Sequence, residues 1–108
     1  MGTAVRRPAK LWLRLYVAGQ APNSVRAIGN VKAICLEHFA SRHRLEIVDV
    51  LQHPQRGLTD GIIVTPTLVK LLPLPVRRVV GNLSDTNQLL LALTSTGNPA
   101  PIPRRRRL

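Results

Sequence analysis

The sequence predicts a single α/β domain that opens with a strand, a helix and a second strand. Alternating apolar and polar residues over 11–17 predict the first strand, because a two-residue period directs every other side chain into a core. Apolar residues at helical spacing over 24–40 predict the helix, and the nearly continuous apolar run 45–51 predicts a second, central strand. A right-handed crossover would make the two strands parallel. A chain of 108 residues holds one such core.

The second half of the chain gives mixed signals. Its β-prone and helix-prone segments are, in order, a short helix at 54–60, strands at 62–64, 67–72 and 76–80, and a helix at 85–95. The run Leu89-Leu90-Leu91 also suits a buried strand, and periodicity alone leaves both assignments open. In the first half, Asn23 or Ser24 is the predicted N-cap of the helix.

The net charge of +11 first suggests a nucleic-acid partner, but much of it lies at the ends of the chain. Seven basic residues fall in a basic arm, residues 1–10, and in Arg104–Arg107, so residues 11–103 carry only +4. Alternate prolines before those arginines predict an extended, mobile tail over 98–108. No apolar run approaches ~18 residues, so no membrane span is expected.

Catalytic motifs are missing, and the remaining reactive residues are interpreted as structural. The single cysteine, Cys35, lies on the apolar helix stripe and is interpreted as core, although His38 is close enough on the helix to share a metal. With no CxxC pair, thioredoxin-type redox chemistry has no second thiol. Asp49 is interpreted as a strand-end carboxylate. The sequence therefore indicates neither an enzyme nor a metal site.

The Thr65-Pro66-Thr67 segment follows a β-prone stretch. A thioredoxin-like fold places a cis proline at the start of a central strand, and X-Pro bonds are the usual site of cis peptides. A trans turn explains the same residues equally well, so both alternatives stay open.

Several blocks together resemble the KaiB family of cyanobacterial clock proteins across about residues 11–95. These blocks are Leu15-Tyr16-Val17-Ala18-Gly19, Pro22-Asn23-Ser24-Val25-Arg26-Ala27, Val48-Asp49-Val50-Leu51, Pro54-Gln55, Thr65-Pro66-Thr67-Leu68, Leu72-Pro73-Leu74-Pro75-Val76-Arg77-Arg78 and Gly81-Asn82-Leu83-Ser84-Asp85.

The resemblance implies a fold and a mechanism. The domain at 11–97 would be a thioredoxin-like single domain of order βαβαββα, with a second conformation, βαββααβ, that packs as a tetramer. The protein would be a cytoplasmic, non-enzymatic adaptor without a cofactor. It would bind a KaiC-type ATPase, with KaiA or a clock-linked histidine kinase as further partners. The mixed local signals of the second half are what two competing packings require.

Carried over by position, the resemblance assigns partner binding to Gln55, Lys70, Arg77 and Arg78. From the residues alone, Arg77 and Arg78 suit either an exposed edge or an anchor for an acidic surface. The positions tied to the fold switch are Thr65, Pro66, Gly81, Asp85, Ala92 and Thr94.

This chain departs from the family at three places. Leu58 and Thr59 replace an acidic pair, and Gly61 replaces a lysine, which would alter the KaiC contact. The tail is basic where many members end acidic. Ala92 and Thr94 stand where Gly and Asp are common, which favours a helix there.

Two alternative functions, from different functional classes, remain open. A nucleic-acid binder driven by charge would show salt-sensitive DNA binding that survives removal of the tail. A thioredoxin-like redox protein would lose disulfide reductase activity when Cys35 is replaced.

Overall fold

In the computed structural model, residues 10–94 are described, and they contain four strands and three α-helices in the order βαβαββα. The elements are β1 (Leu11–Val17), α1 (Pro22–Phe39), β2 (His43–Asp49), α2 (Pro54–Thr59), β3 (Thr67–Leu72), β4 (Arg77–Val80) and α3 (Thr86–Thr94), with a 3-10 turn at Ala40–Arg42. The order confirms the predicted one, and the helical alternative for Leu89–Leu91 is the one adopted. Most of the predicted basic arm and the predicted tail at 98–108 lie outside the described residues.

The four strands form one mixed sheet in the order β2-β1-β3-β4. β1 and β2 are parallel, as the crossover rule predicted, whereas the β1–β3 and β3–β4 pairs are antiparallel. The prediction that the run at 45–51 is a central strand was wrong, because β3 pairs with the far side of β1 and leaves β2 at an edge. Ile47 of β2 is accordingly 37% exposed. Residues 62–64, predicted as a strand, lie in the loop before β3.

One face of the sheet carries the main core, packed under α1 and α3. Alternation along β1 directs Leu13 and Leu15, both fully buried, toward this face. Its buried members are Leu11, Leu13, Leu15, Val17, Ala27, Val31, Ile34, Cys35, Phe39, Leu68, Leu83, Leu89 and Leu93. The prediction that Cys35 is core is confirmed.

The opposite face, which we call the α2 face, has a smaller apolar cluster of Tyr16, Val48 and Val69. In α2 only Gly57 is buried, and a Cβ atom there would lie 3.2 Å from Val50 Cγ1. The glycine thus allows the helix backbone to approach the sheet closely. With so little apolar burial, α2 needs other contacts to hold it in place.

The start of α1 corrects the predicted N-cap. The cap position is Ala21, which makes no side-chain cap bond, and Pro22 opens the helix. A proline suits the first turn because its missing N–H would lack a helical partner there. Ser24 is buried inside the helix, and its Oγ accepts a hydrogen bond from the Ala18 N–H at 3.0 Å. Its hydroxyl therefore fixes the preceding turn instead of capping the helix.

Candidate functional site

The four residues assigned to partner binding fall on two different faces of the sheet. In the β3–β4 ladder, Lys70 pairs with Arg77 and Val69 pairs with Arg78. Successive side chains of a strand point to opposite faces. Arg78 therefore lies on the α2 face with Val69, and Lys70 and Arg77 lie on the face of the main core. Gln55 is exposed on α2, which covers the same face as Arg78. Of the four assigned residues, only Gln55 and Arg78 therefore share the α2 face.

Arg78 is exposed and bonded to the end of α2. Its Nη2 donates to the Asp60 carbonyl oxygen at 2.7 Å, and its Nη1 donates to the Gly61 carbonyl oxygen at 3.3 Å. Asp60 and Gly61 directly follow α2, so the guanidinium satisfies two carbonyl oxygens of the turn that ends the helix. β4 and the end of α2 are thereby joined.

Lys70 is fully buried, with 1% of its surface exposed. Burial lowers the pKa of its ammonium group, and the charge of Arg77 lowers that pKa further. In this conformation Arg77, its partner in the β3–β4 ladder, is half-buried, so it is more accessible to a partner than Lys70.

A cluster of charged residues holds α2 against the sheet, and we call it the arginine–carboxylate cluster. Glu46 of β2 accepts from Arg14 Nε at 2.8 Å and from Arg56 Nη1 at 2.7 Å. Asp60 accepts a hydrogen bond from the Tyr16 hydroxyl, and its Oδ2 lies 3.5 Å from Arg14 Nη1. These contacts link β1, β2 and both ends of α2.

The two arginines change the acidity of Glu46. Hydrogen bonds from Arg56 and Arg14 lower the pKa of this carboxyl from 4.5 to about 2. The carboxylate form is therefore the one that fits between the guanidinium groups. Beside it lies an open cleft of about 310 Å³ lined by Arg14, Gln55, Arg56, Thr59 and Asp60.

None of the cluster residues was singled out as functional from the sequence. A usable signal was present, because the alternation of β1 puts Arg14 and Tyr16 on the face away from the main core. Glu46 then faces Arg14 across the parallel pair. Finding the pair required the register of β1 against β2, which the sequence does not state.

The six fold-switch positions occupy two separate places. Thr65–Pro66 is a cis peptide bond before β3, as one of the two alternatives proposed. Gly81, after β4, has a φ of 116°, a backbone conformation that side chains disfavour. Asp85 Oδ1 accepts a hydrogen bond from the Gln88 N–H at 3.0 Å and so caps α3.

Ala92 and Thr94 lie in the last turns of α3. Ala92 is half-buried, and the Thr94 hydroxyl donates to the Leu90 carbonyl oxygen at 2.7 Å. Both residues lie within the helix, and their effect on the fold switch stays a prediction.

The residues considered for a metal or redox role do not assemble into a site. Cys35 is fully buried in the main core, whereas His38 is exposed on the same helix. Burial raises the pKa of the Cys35 thiol to about 11, which keeps it protonated and unreactive. Asp49 ends β2, and its Oδ1 accepts hydrogen bonds from the Gly19 and Leu51 N–H groups, as expected of a structural carboxylate.

A protein-family profile described as "KaiB domain" matches residues 14–95. The chain belongs to the KaiB family. "Circadian clock oscillator protein KaiB" of Synechococcus elongatus is 51% identical over 81 residues, covering 75% of this chain and 79% of that protein. "Circadian clock protein KaiB3" of Synechocystis is 44% identical over 84 residues, covering 78% and 82%. These relatives confirm the resemblance found in the sequence.

The solved structures most relevant to this KaiB-family chain share its fold. The N-terminal domain of Synechococcus elongatus SasA matches with a TM-score of 0.66 and 29% identity, over 86% of this chain and 91% of that one. Mitochondrial thioredoxin 3 of Saccharomyces cerevisiae matches with a TM-score of 0.64 and 12% identity, over 79% and 77%. The thioredoxin-like fold is therefore confirmed. Within residues 10–94, the helices are too short or too polar to cross a membrane.

Proposed function

We propose that this chain is a non-enzymatic circadian-clock adaptor that binds a KaiC-type ATPase. Bound there, it modulates the phosphorylation state of the ATPase and the access of other partners. The observation that carries the proposal is the similarity to named clock proteins. The KaiB of Synechococcus elongatus is identical at 51% of the aligned positions, and the alignment covers 75% of this chain. The likeness to the SasA N-terminal domain supports it, because that domain has the same fold.

The described residues also support a binding role over catalysis. The thiol of Cys35, the sole cysteine in the chain, is sealed in the main core with its pKa raised to about 11. A thioredoxin-like redox reaction needs an accessible thiolate, so the fold is used here without that chemistry.

The KaiC-type partner contacts the sheet edge at Arg77 and Arg78 and the exposed Gln55 on α2. Arg77 and Arg78 begin the edge strand β4, and edge strands commonly carry charged side chains that a partner can contact. Arginine makes charge-assisted contacts with carboxylates, so an acidic surface on the partner fits this edge. KaiA or a clock-linked histidine kinase is proposed as a further partner, meeting the adaptor on the ATPase.

Fold switching belongs to the same proposal. The conformation described here, βαβαββα, is the partner-binding form, and a βαββααβ form packs as a homotetramer. The segments that rearrange contain the two groups of switch positions, around Thr65–Pro66 and from Gly81 to Thr94. Self-association stabilises the second form by mass action, so the balance depends on protein concentration.

Co-elution with a KaiC-type ATPase in the presence of ATP tests the proposal. Replacing Arg77 and Arg78 with alanine should weaken the complex, because charge-assisted hydrogen bonds contribute about 1.5–3 kcal/mol each. Arg26→Ala, an exposed arginine on α1, is the matched control. Circular dichroism checks that each variant is folded.

Single variants separate the two arginines. Arg78 also bonds the end of α2, whereas Arg77 does not lie on that face. Equal loss in both singles indicates direct contact, and loss in Arg78→Ala alone indicates an effect through α2. Undiminished co-elution of the double variant would place the interface elsewhere, and no co-elution of the unchanged chain would reject the proposed partner.

A further inference from the structure

A strip of the α2 face carries an aromatic residue and basic side chains that the proposed function leaves unused. Trp12 of β1 pairs with Arg44 of β2 in the parallel ladder, and the next pair on the same face is Arg14 with Glu46. Arg56 completes the strip by bonding Glu46 from α2. We refer to these five residues as the tryptophan strip.

The tryptophan strip is open because α2 is short. The helix has six residues and lies over the end of the sheet that holds Tyr16 and Val48. At the other end of β1 and β2, Trp12 is only half-buried and Arg44 is exposed. A large aromatic side chain therefore remains partly in contact with solvent on the sheet surface.

Trp12 and Arg44 are held in a defined arrangement. The Arg44 guanidinium carbon lies 5.2 Å from the centre of the Trp12 ring, within the range of a cation–π contact. Tryptophan and arginine are the residue types most enriched among those that dominate binding at protein interfaces. A stacked pair also loses less side-chain entropy on binding than two free side chains.

The charges of the α2 face select the class of partner. Arg14, Arg44, Arg56 and Arg78 stand against Glu46 and Asp60, which gives the placed residues of this face a net charge of +2. Acidic groups are therefore attracted. Glu46 lies between two arginines and is 39% exposed, so a continuous row of phosphates would meet a carboxylate at the centre of the strip. A protein segment can place its acidic side chains on either side of Glu46.

We propose that the tryptophan strip is a docking surface for an acidic protein segment, with Trp12 as its apolar anchor and Arg44 as its charged anchor. Its two anchors lie on β1 and β2, whereas Arg77 and Arg78 lie on β4 at the opposite edge of the sheet, so the strip adds a second contact to the adaptor. A second copy of the chain fits less well, because two faces of the same charge would meet.

The chain has one tryptophan, so its fluorescence reports on this strip alone. The probe is an oligoglutamate peptide, titrated into the full chain at low salt while the emission of Trp12 is followed. We expect a saturable change in emission that high salt abolishes. Arg44→Glu should weaken binding at least about tenfold, since it replaces attraction by repulsion.

Arg42→Glu is the matched control, because Arg42 is also exposed and stacks over an aromatic ring, that of Phe39, at 5.7 Å. Phe39 belongs to the main core under α1, away from the strip. At low salt a changed charge acts beyond its immediate neighbours, so Arg42→Glu measures the general effect of charge, and its loss should be several-fold smaller than that of Arg44→Glu. Trp12→Ala, followed by calorimetry, should weaken binding at least about fivefold.

Three results would overturn the proposal. Equal losses in Arg44→Glu and Arg42→Glu would indicate attraction by overall charge only. Tighter binding of an oligothymidine than of the peptide, lost in Arg44→Glu, would assign the strip to nucleic acid. An emission change with protein concentration alone would assign it to a second copy of the chain. Each outcome leaves the Arg77 and Arg78 co-elution experiment unaffected, so the two proposals fail separately.

Discussion

Replacing Glu46 with glutamine should loosen α2 from the sheet while leaving the main core intact. The substitution keeps the shape of the side chain and removes the charge that pairs with Arg14 and Arg56. α2 buries only Gly57, so the Arg56–Glu46 pair supplies part of its attachment, while the Arg14–Glu46 pair joins β1 to β2 and holds Glu46 in place. We therefore expect a loss of stability that depends on charge.

The magnitude follows from the acidity of Glu46. A fall in its pKa from 4.5 to about 2 would correspond to about 3 kcal/mol if solvent screened none of the interaction. The side chain is 39% exposed, however, and exposed ion pairs contribute about 0.2–1 kcal/mol each. For two pairs we expect a loss of about 0.4–2 kcal/mol in the free energy of unfolding.

The pH dependence has a definite sign. Folding lowers the pKa of Glu46, so its stabilisation is fully present above about pH 4.5 and is lost as the pH falls toward 2. Urea unfolding, which adds no salt, should show a difference between the unchanged chain and Glu46→Gln at pH 7 that shrinks toward zero near pH 2. Hydrogen exchange should locate the effect in α2.

Glu37→Gln is the control, since Glu37 is 73% exposed and its ion-pair partner within residues 10–94 is His38, at 3.7 Å. This variant should unfold like the unchanged chain at pH 7. The reasoning is refuted if both glutamine variants lose equal stability, or if the Glu46→Gln difference persists at pH 2.

Three further outcomes are expected. Leu89→Ala should lower the free energy of unfolding by about 2–5 kcal/mol in urea titrations, because Leu89 of α3 is fully buried in the main core, and a loss below 1 kcal/mol would contradict that packing. Ala92→Gly should shift the population from monomer toward tetramer about fivefold in size exclusion and NMR at low concentration, and an unchanged ratio would show that helix propensity does not set the switch. Truncation after Asn98 should leave the melting temperature nearly unchanged, whereas a large drop would show that the tail packs on the domain.

The sequence predicted those elements whose own pattern was decisive. β1 alternates strictly and α1 has an apolar stripe of four turns, so both were found close to their true bounds. The position of β2 in the sheet was predicted wrongly. An apolar run predicts that a segment is buried, but it does not identify the strands on either side of it. That choice depends on β3, which pairs with β1 from the distant second half of the chain.

The candidate site was harder to predict than the fold. Arg78 was singled out, but its bonds to the carbonyl oxygens of Asp60 and Gly61 join residues about 17 positions apart and follow from the way β4 folds back. Local pattern also misassigned Ser24 as a cap, since a serine near a helix start has several backbone groups within reach. Long-range polar pairs require the register of the sheet, which periodicity does not contain.

The close approach at Gly57 affects how amino-acid substitutions can alter this surface. A six-residue helix with a proline at its start and a glycine inside has little tendency to form alone, so its neighbours decide whether it exists. Those neighbours include Arg14 and Glu46, half-buried charged residues outside the main core, and Glu46 bonds Arg56 of the helix. Substitutions at these positions can therefore tighten or release this segment in small steps while α1, α3 and the main core stay the same.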